Sequence, residues 1–287
     1  MKNVGLFGIG AIGSLITKYI TRNPSNNCTF YNRSDKNSIS IQYNDQRETI
    51  PIHLSSTENQ NLDWLIVCLK AYHFEVALPS LKNLIKANTK VAIFQNGINL
   101  SAPYFQLTKV SHILETILDC PIQKINNEEI LQIRTPKIIL PKHELTSEFI
   151  QLFKGNEITF QVNENFLKSQ WLKLIESSAI GSIQSLTGKP CAIFSETIYL
   201  TKFVELVEEG IKVAHSEGIH FEKNLIDLLV TKLKGYPPTK GSSMLTDKLA
   251  GHELELDAKI GAILKVALRN EVKVPRTQNI YNSLLYQ

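Results

Sequence analysis

The sequence predicts an α/β fold, an N-terminal Rossmann-type doubly wound sheet followed by an all-helical C-terminal domain. Three observations predict it. Apolar runs of strand length alternate with helical periodicities over the first ~100 residues. A glycine turn joins the first of these strands to the first helix. After about Asn163 the pattern is helical nearly to the end, so residues 1–163 are expected to form one domain and residues 164–287 the other.

Residues 3–7 (NVGLF) read as a short buried strand, and from Ala11 to Tyr19 the residues Ile12, Leu15, Ile16 and Tyr19 fall at helical spacing. Cys28 to Tyr31 reads as a second strand, and a polar, hairpin-like stretch runs on to about Asn61. Residues 63–69 (DWLIVCL) are a nearly continuous apolar run, as a strand covered on both faces requires. A helix from about Phe74 to Ile85, a strand from Lys90 to Phe94 and a turn at Asn96-Gly97 repeat the pattern. From Ile113 to Leu140 shorter β-like runs suggest an antiparallel extension that closes this domain. Beyond it, helices are expected over Phe166 to Leu186 and Ile198 to Glu217, the second stopped by Gly218. The turn from Lys234 to Ser243 interrupts the helices, and a last long one is expected over Glu253 to Asn270.

Composition narrows the function classes. With 43% hydrophobic and 20% charged residues the chain has the makeup of an ordinary globular protein. Its formal charge of +4 is spread without basic runs, which argues against a nucleic-acid or membrane-surface role. Cys28, Cys68, Cys120 and Cys191 lie far apart without metal-type spacing, and the seven histidines follow none either, so no metal site is expected. His252, near Glu253 and Glu255, is too small a ligand set. The opening segment departs from a signal peptide in the glycines that interrupt its apolar run and in the helically spaced Lys18 and Arg22 that follow. Free thiols in a reducing, cytoplasmic setting are the expectation.

Gly8, Gly10 and Gly13 make G-x-G-x-x-G. The sequence is weak evidence by itself, since a glycine turn can be purely structural. Directly after a strand and opening a helix, each glycine has a role: the tight turn, the backbone approach to a pyrophosphate, and helix–strand packing. Gly8, Ile9, Gly10, Ala11, Ile12 and Gly13 are therefore candidate dinucleotide-binding residues. The nucleotide is read at the end of the second strand, where an NAD enzyme places an acid about 20 residues after the last glycine. Here stand Tyr31-Asn32-Arg33-Ser34, with Asp35 beyond the strand tip. Arg33 offers a planar cation for a 2′-phosphate, which favours NADP (NADPH); the alternative is a solvated surface arginine.

Five further stretches carry a resemblance. Leu69-Lys70-Ala71, Gln95-Asn96-Gly97, Trp171-Leu172-Lys173-Leu174, Ser242-Ser243-Met244-Leu245 and Glu255-Leu256-Asp257, in this order, resemble the signature of the ketopantoate reductase (2-dehydropantoate 2-reductase) family over nearly the whole chain. The resemblance implies an NADPH-dependent reduction of a small 2-oxo acid, most directly ketopantoate to pantoate. It implies that Lys173 is the general acid, a role in which a cation beside a developing alkoxide stabilises it and then supplies the proton. It further implies that Asn96 bonds cofactor and substrate, that Glu255 lies near the cofactor ribose and the reacting centre and orients Lys173, that Ser243 touches the substrate carboxylate, and that Lys70 sits by the nicotinamide half of the site. The alternative for Lys173 is a helix-surface lysine, against which the flanking Trp171 and Leu174 argue for a partly buried helix; without the resemblance Ser243 reads as a helix cap and Glu255 as an exposed helix acid.

The chain departs from the family at one place. Two asparagines are expected at four-residue steps after the lysine, on one helical face. Ser177 and Gly181 stand there, which predicts a wider and less polar substrate pocket and leaves the substrate open. The rival readings are a related reductase of another 2-keto acid or lactone and a catalytically weak NADP-binding or sensing protein. Expected partners are a small 2-keto acid and, for assembly, a monomer or homodimer, without nucleic acid or membrane.

Overall fold

The computed structural model describes residues 1–33, 35–57, 61–126 and 128–286. The chain divides into two compact units, one of Met1–Gln95 with Asn99–Phe166, the other of Asn96–Ile98 with the chain from Leu167 onward. In the first, β1 (Lys2–Phe7), α1 (Ala11–Ile20), β2 (Asn26–Tyr31), β3 (Ser38–Tyr43), β4 (Gln46–Pro51), β5 (Trp64–Val67), α2 (Phe74–Leu84), β6 (Lys90–Ile93) and β7 (Ile113–Glu115) follow in order. Among the described residues five strands form a sheet in the order β2-β1-β5-β6-β7, and every pairing in it is parallel.

A parallel sheet must be covered on both faces, and the alternation of side chains along β5 shows how this is met. Trp64 and Ile66 point into a core shared with Leu15, Ile16 and Ile20 of α1. Leu65 and Val67 point the other way, onto Phe74, Leu81 and Leu84 of α2. All four strand residues are fully buried, which is why the run lacks polar alternation.

The hairpin of β3 and β4 turns at Asn44 and Asp45, both at positive φ (50° and 59°), as a two-residue hairpin turn demands. The short strands that follow are β8 (Ile117–Asp119), β9 (Ile122–Lys124), β10 (Glu129–Gln132) and β11 (Lys137–Pro141), then α3 (Thr146–Gln151) and β12 (Thr159–Asn163). They are not one antiparallel extension. β7 prolongs the main sheet in parallel, β10 pairs in parallel with β3, and β11 pairs antiparallel with β8 but parallel with β12. Short runs do not reveal partner or direction, because the period of two is common to both kinds of pairing.

The second unit contains α4 (Phe166–Thr187), α5 (Thr197–Ser216), α6 (Leu225–Lys234), α7 (Ser243–Leu249), α8 (Ile260–Arg269) and α9 (Pro275–Leu285). Trp171, Leu174, Ile175 and Ile183 of α4 meet Phe203 and Val207 of α5 in its core. α5 ends in a Schellman turn: Gly218 takes φ +76°, its amide donates to the His215 carbonyl at 2.9 Å, and the Ile219 amide donates to Ala214 at 3.0 Å. The expected helix over 253–270 is corrected. Residues 252–255 have no regular structure, 256–259 form a turn, and the helix begins only at Ile260. A further helix, α9, opens at Pro275, where the buried Glu209 carboxyl accepts from the amides of Arg276 (2.9 Å) and Thr277 (2.7 Å). No helix among the described residues is long and apolar enough to cross a membrane.

Candidate active site

In the first unit, Gly8, Ile9 and Gly10 carry the chain from β1 into α1. Gly8 sits at φ +92°, and its amide donates to the Tyr31 carbonyl at 2.9 Å, binding the turn to the end of β2. A Cβ on Gly13 would lie 2.0 Å from the Gly8 carbonyl oxygen, so the helix packs too closely on the turn for any side chain. A Cβ on Gly10 would meet nothing within 4 Å: the exposed side of the turn is open. Gly10 caps α1 without a side chain, and no side-chain cap bonds the amides that open the helix. These are the features a pyrophosphate cradle needs, and the residues fit one.

Two contacts on this loop had no signal in the sequence. The Asn32 carboxamide oxygen accepts from the Ile9 amide at 3.0 Å, and the Lys36 ammonium donates to the Ile9 carbonyl at 2.8 Å. Ile9 is buried with both backbone groups engaged, so its part is to fix the turn. Burial, and then the like charge of Lys124, lowers the pKa of Lys36. Arg33 lies exposed just past β2, while Ser34 falls outside the described residues. Lys70, half-buried and extended, follows β5 with its ammonium 5.6 Å from the Tyr72 ring centre.

In the second unit, Lys173, Ser177 and Gly181 lie along one face of α4. Lys173 is half-buried, between Trp171 at 1% and Leu174 at 2% exposure. The Ser177 hydroxyl points to the Leu174 carbonyl at 3.5 Å, a weak bond at best. At Gly181 the expected extra width is absent. A Cβ there would come 2.8 Å from the sulfur of Met244, a fully buried side chain that fills the position. At Gly181 the face is packed. One turn on, the Gln184 side chain accepts from the Ser242 amide at 2.7 Å and donates to the Lys240 carbonyl at 3.0 Å, which seats the start of α7 against α4.

Ser242, not Ser243, is the cap of α7, its hydroxyl accepting from the Leu245 amide at 3.1 Å. Ser243 stands exposed as the first helical residue, and its hydroxyl accepts from the ammonium of Lys259 at 3.1 Å. Glu255 is neither helical nor exposed. It is 5% accessible, in the irregular segment before the turn, and its carboxyl accepts from the Asn96 side-chain amide at 3.0 Å. Asn96 belongs to this unit together with Gly97, at φ +123°, and Ile98, which packs on the helical core. Asn96 and Glu255, far apart in sequence and matched separately by pattern, are thus direct partners. Lys259 went unnoticed because a lysine in an expected surface helix carries no signal.

The chain matches two family descriptions in succession, Ketopantoate reductase PanE/ApbA over residues 4–143 and Ketopantoate reductase PanE/ApbA C terminal over residues 165–285. It is similar to the 2-dehydropantoate 2-reductase of Caulobacter vibrioides, 25% identical over 277 residues that cover 96% of this chain and 95% of the relative. Among solved structures, it resembles the dimeric ketopantoate reductase from Staphylococcus aureus, with a TM-score of 0.88 at 23% identity, covering 99% of this chain and 98% of that one. It also resembles D-mandelate dehydrogenase in complex with NADH and anilino(oxo)acetate, with a TM-score of 0.89 at 16% identity, covering 99% and 97%. At these identities the structural likenesses speak to the fold alone.

Proposed function

The chain belongs to the ketopantoate reductase family, and on that premise we propose that it is an NADPH-dependent cytoplasmic reductase of a small 2-oxo acid, with 2-dehydropantoate to pantoate as its leading reaction. The observation that carries this reading is the hydrogen bond from the half-buried Asn96 to the buried Glu255 carboxyl, formed in the unit whose helix presents Lys173. Structure alone gains little from a buried carboxyl, so its retention beside a polar partner suits a site.

In this reading Gly8, Gly10, Ala11, Ile12 and Gly13 would hold the dinucleotide and Arg33 would favour its 2′-phosphate, and the chemistry such a cofactor would supply when bound is hydride transfer. The residues of the chain do the remaining work. Lys70 lines the nicotinamide half. Lys173 places its ammonium at the keto oxygen, stabilises the charge that grows there and gives up a proton, to be reprotonated from water. Asn96 fixes Glu255 by its amide, and Glu255 in turn bonds the ribose and keeps the site polar. Ser243 and Ser177 complete the substrate contacts.

A second reading, a reductase of another 2-oxo acid, is favoured by the Met244 thioether that occupies the place of a hydrogen-bonding side chain at Gly181. The D-mandelate dehydrogenase likeness makes an aryl 2-oxo acid a fair member of the test. The deciding experiment is NADPH oxidation across ketopantoate, 2-oxoisovalerate, pyruvate and phenylglyoxylate, with NADH in parallel. The leading reading expects ketopantoate to be turned over with NADPH; preference for another acid selects the second. Tight NADPH binding without turnover of any acid would leave a binding protein. Sedimentation of the same sample separates monomer from homodimer.

A further inference from the structure

We infer that Lys259 is a positioning residue for the substrate carboxylate: lodged behind Ser243, it makes this end of the helical unit selective for 2-oxo acids over their neutral counterparts. The inference rests on the proposed role of Ser243 as a substrate contact.

Lys259 is 2% exposed, and its ammonium donates to the Ser243 hydroxyl at 3.1 Å. Its neighbours Ile260 and Ile263 are core residues. A leucine or methionine there would satisfy the packing without the desolvation that a buried ammonium entails, so packing does not explain the lysine. Ser243 itself is exposed. The pair therefore joins an accessible hydroxyl to an inaccessible cation, an arrangement suited to a small anion arriving from solvent. An ammonium has three protons to donate and accepts none, so the serine oxygen is the acceptor in this bond. That leaves the hydroxyl proton to be donated outward, strengthened by the charge behind it.

The same turn holds the acid. The Lys259 amide donates to the Glu255 carbonyl at 3.2 Å, and the Glu255 side chain is the one held by Asn96. Residues 255–259 thus bring both a buried acid and a buried cation of this unit together just before α8 begins at Ile260. Met244, seated on Gly181, is the next residue to Ser243.

The test compares the best 2-oxo acid from the turnover screen with its methyl ester, or ketopantoate with its lactone, in the full-length protein. Wild-type turnover of the acid is read first, because failure there sinks the proposed function and this inference with it. Given turnover, Lys259→Met is expected to raise KM for the acid about tenfold or more, as loss of a charge-assisted contact does. The ester KM, kcat and NADPH affinity from fluorescence should stay within about threefold, and Lys259→Arg should recover part of the acid preference. Ser243→Ala should lose the same acid-over-ester preference, and adding it to Lys259→Met should cost little more. An unchanged acid-to-ester ratio in Lys259→Met overturns the inference. So does a parallel fall for acid and ester with a lowered Tm, the mark of a structural lysine. Should Lys259→Met not fold, Lys259→Gln and Ser243→Ala carry the same comparison, and an unchanged ratio in Ser243→Ala is equally decisive.

Discussion

Arg33 and Lys36 lie within a few residues of each other, yet they meet the nucleotide loop in different ways, and substitution separates them. Arg33 is exposed beyond β2, so a role confined to the 2′-phosphate leaves the loop untouched. Arg33→Ala is expected to weaken NADPH binding about tenfold or more and NADH binding hardly at all, measured by fluorescence titration; equal losses would remove its role in selectivity. Lys36 caps the Ile9 carbonyl within the turn itself, so Lys36→Ala should weaken NADPH and NADH alike. Lys173→Ala should lower kcat by about 10²–10⁴ while NADPH still binds, and near-normal turnover would exclude it as the proton donor. Of these residues the glycines stood out as a strand-to-helix turn and Arg33 as a cation at a strand end, whereas Lys173 was singled out by the family resemblance. Asn32, Lys36 and Lys259 were not, because side-chain contacts with the backbone or with a distant serine leave no periodic trace.

At the level of elements, the doubly wound sheet was legible because buried strands and amphipathic helices differ in period, and α1, α2, α4 and α5 lie within a residue or two of where spacing places them. The start of α8 was misplaced because the apolar spacing of Leu256 and Ile260 carries the helical pattern back through the 256–259 turn, where Lys259 leaves helical geometry at φ −106° and ψ −96°. Helix α9 was missed because its start depends on the Glu209 side chain of α5, not on a capping residue of its own. The contact of Gly181 with Met244 gives the α4–α7 packing a direct test. Gly181→Asn must push the Met244 sulfur aside, with an expected loss of ~1–3 kcal/mol in denaturant unfolding, whereas the same change made with Met244→Ala should cost less than the two singly. If the single change is neutral, the packing is looser than described. Ser177→Asn, with space on a half-buried face, is the better change for shifting kcat/KM towards ketopantoate.

For the molecule as a whole, acid stability centres on Glu148 in α3, which accepts from the Lys2 ammonium at 3.0 Å, from the Trp64 indole at 3.1 Å and from Lys90, gathering β1, β5 and β6. Partial burial pushes its carboxyl up, but the bonds from Lys90, Lys2 and Trp64 outweigh this and bring it from 4.5 down to about 2. A carboxyl held below its unfolded value stabilises the fold above that value and loses the contribution as pH falls between the two. Glu148→Gln should therefore lower Tm at neutral pH and flatten its fall between 4.5 and about 2; an unaltered pH profile would show that the cluster is energetically idle. The three residues Asn96–Ile98 that group with the helices although flanked by sheet sequence carry a lesson for dissecting the protein. A fragment beginning at Leu167 would inherit Glu255 without the amide that satisfies it, and so could not reproduce the native interior of its own unit. Gene splitting, domain exchange with relatives or deletion mapping that treats the boundary as one cut would transplant an incomplete module, whereas adding back a peptide spanning residues 94–100 should restore part of its stability.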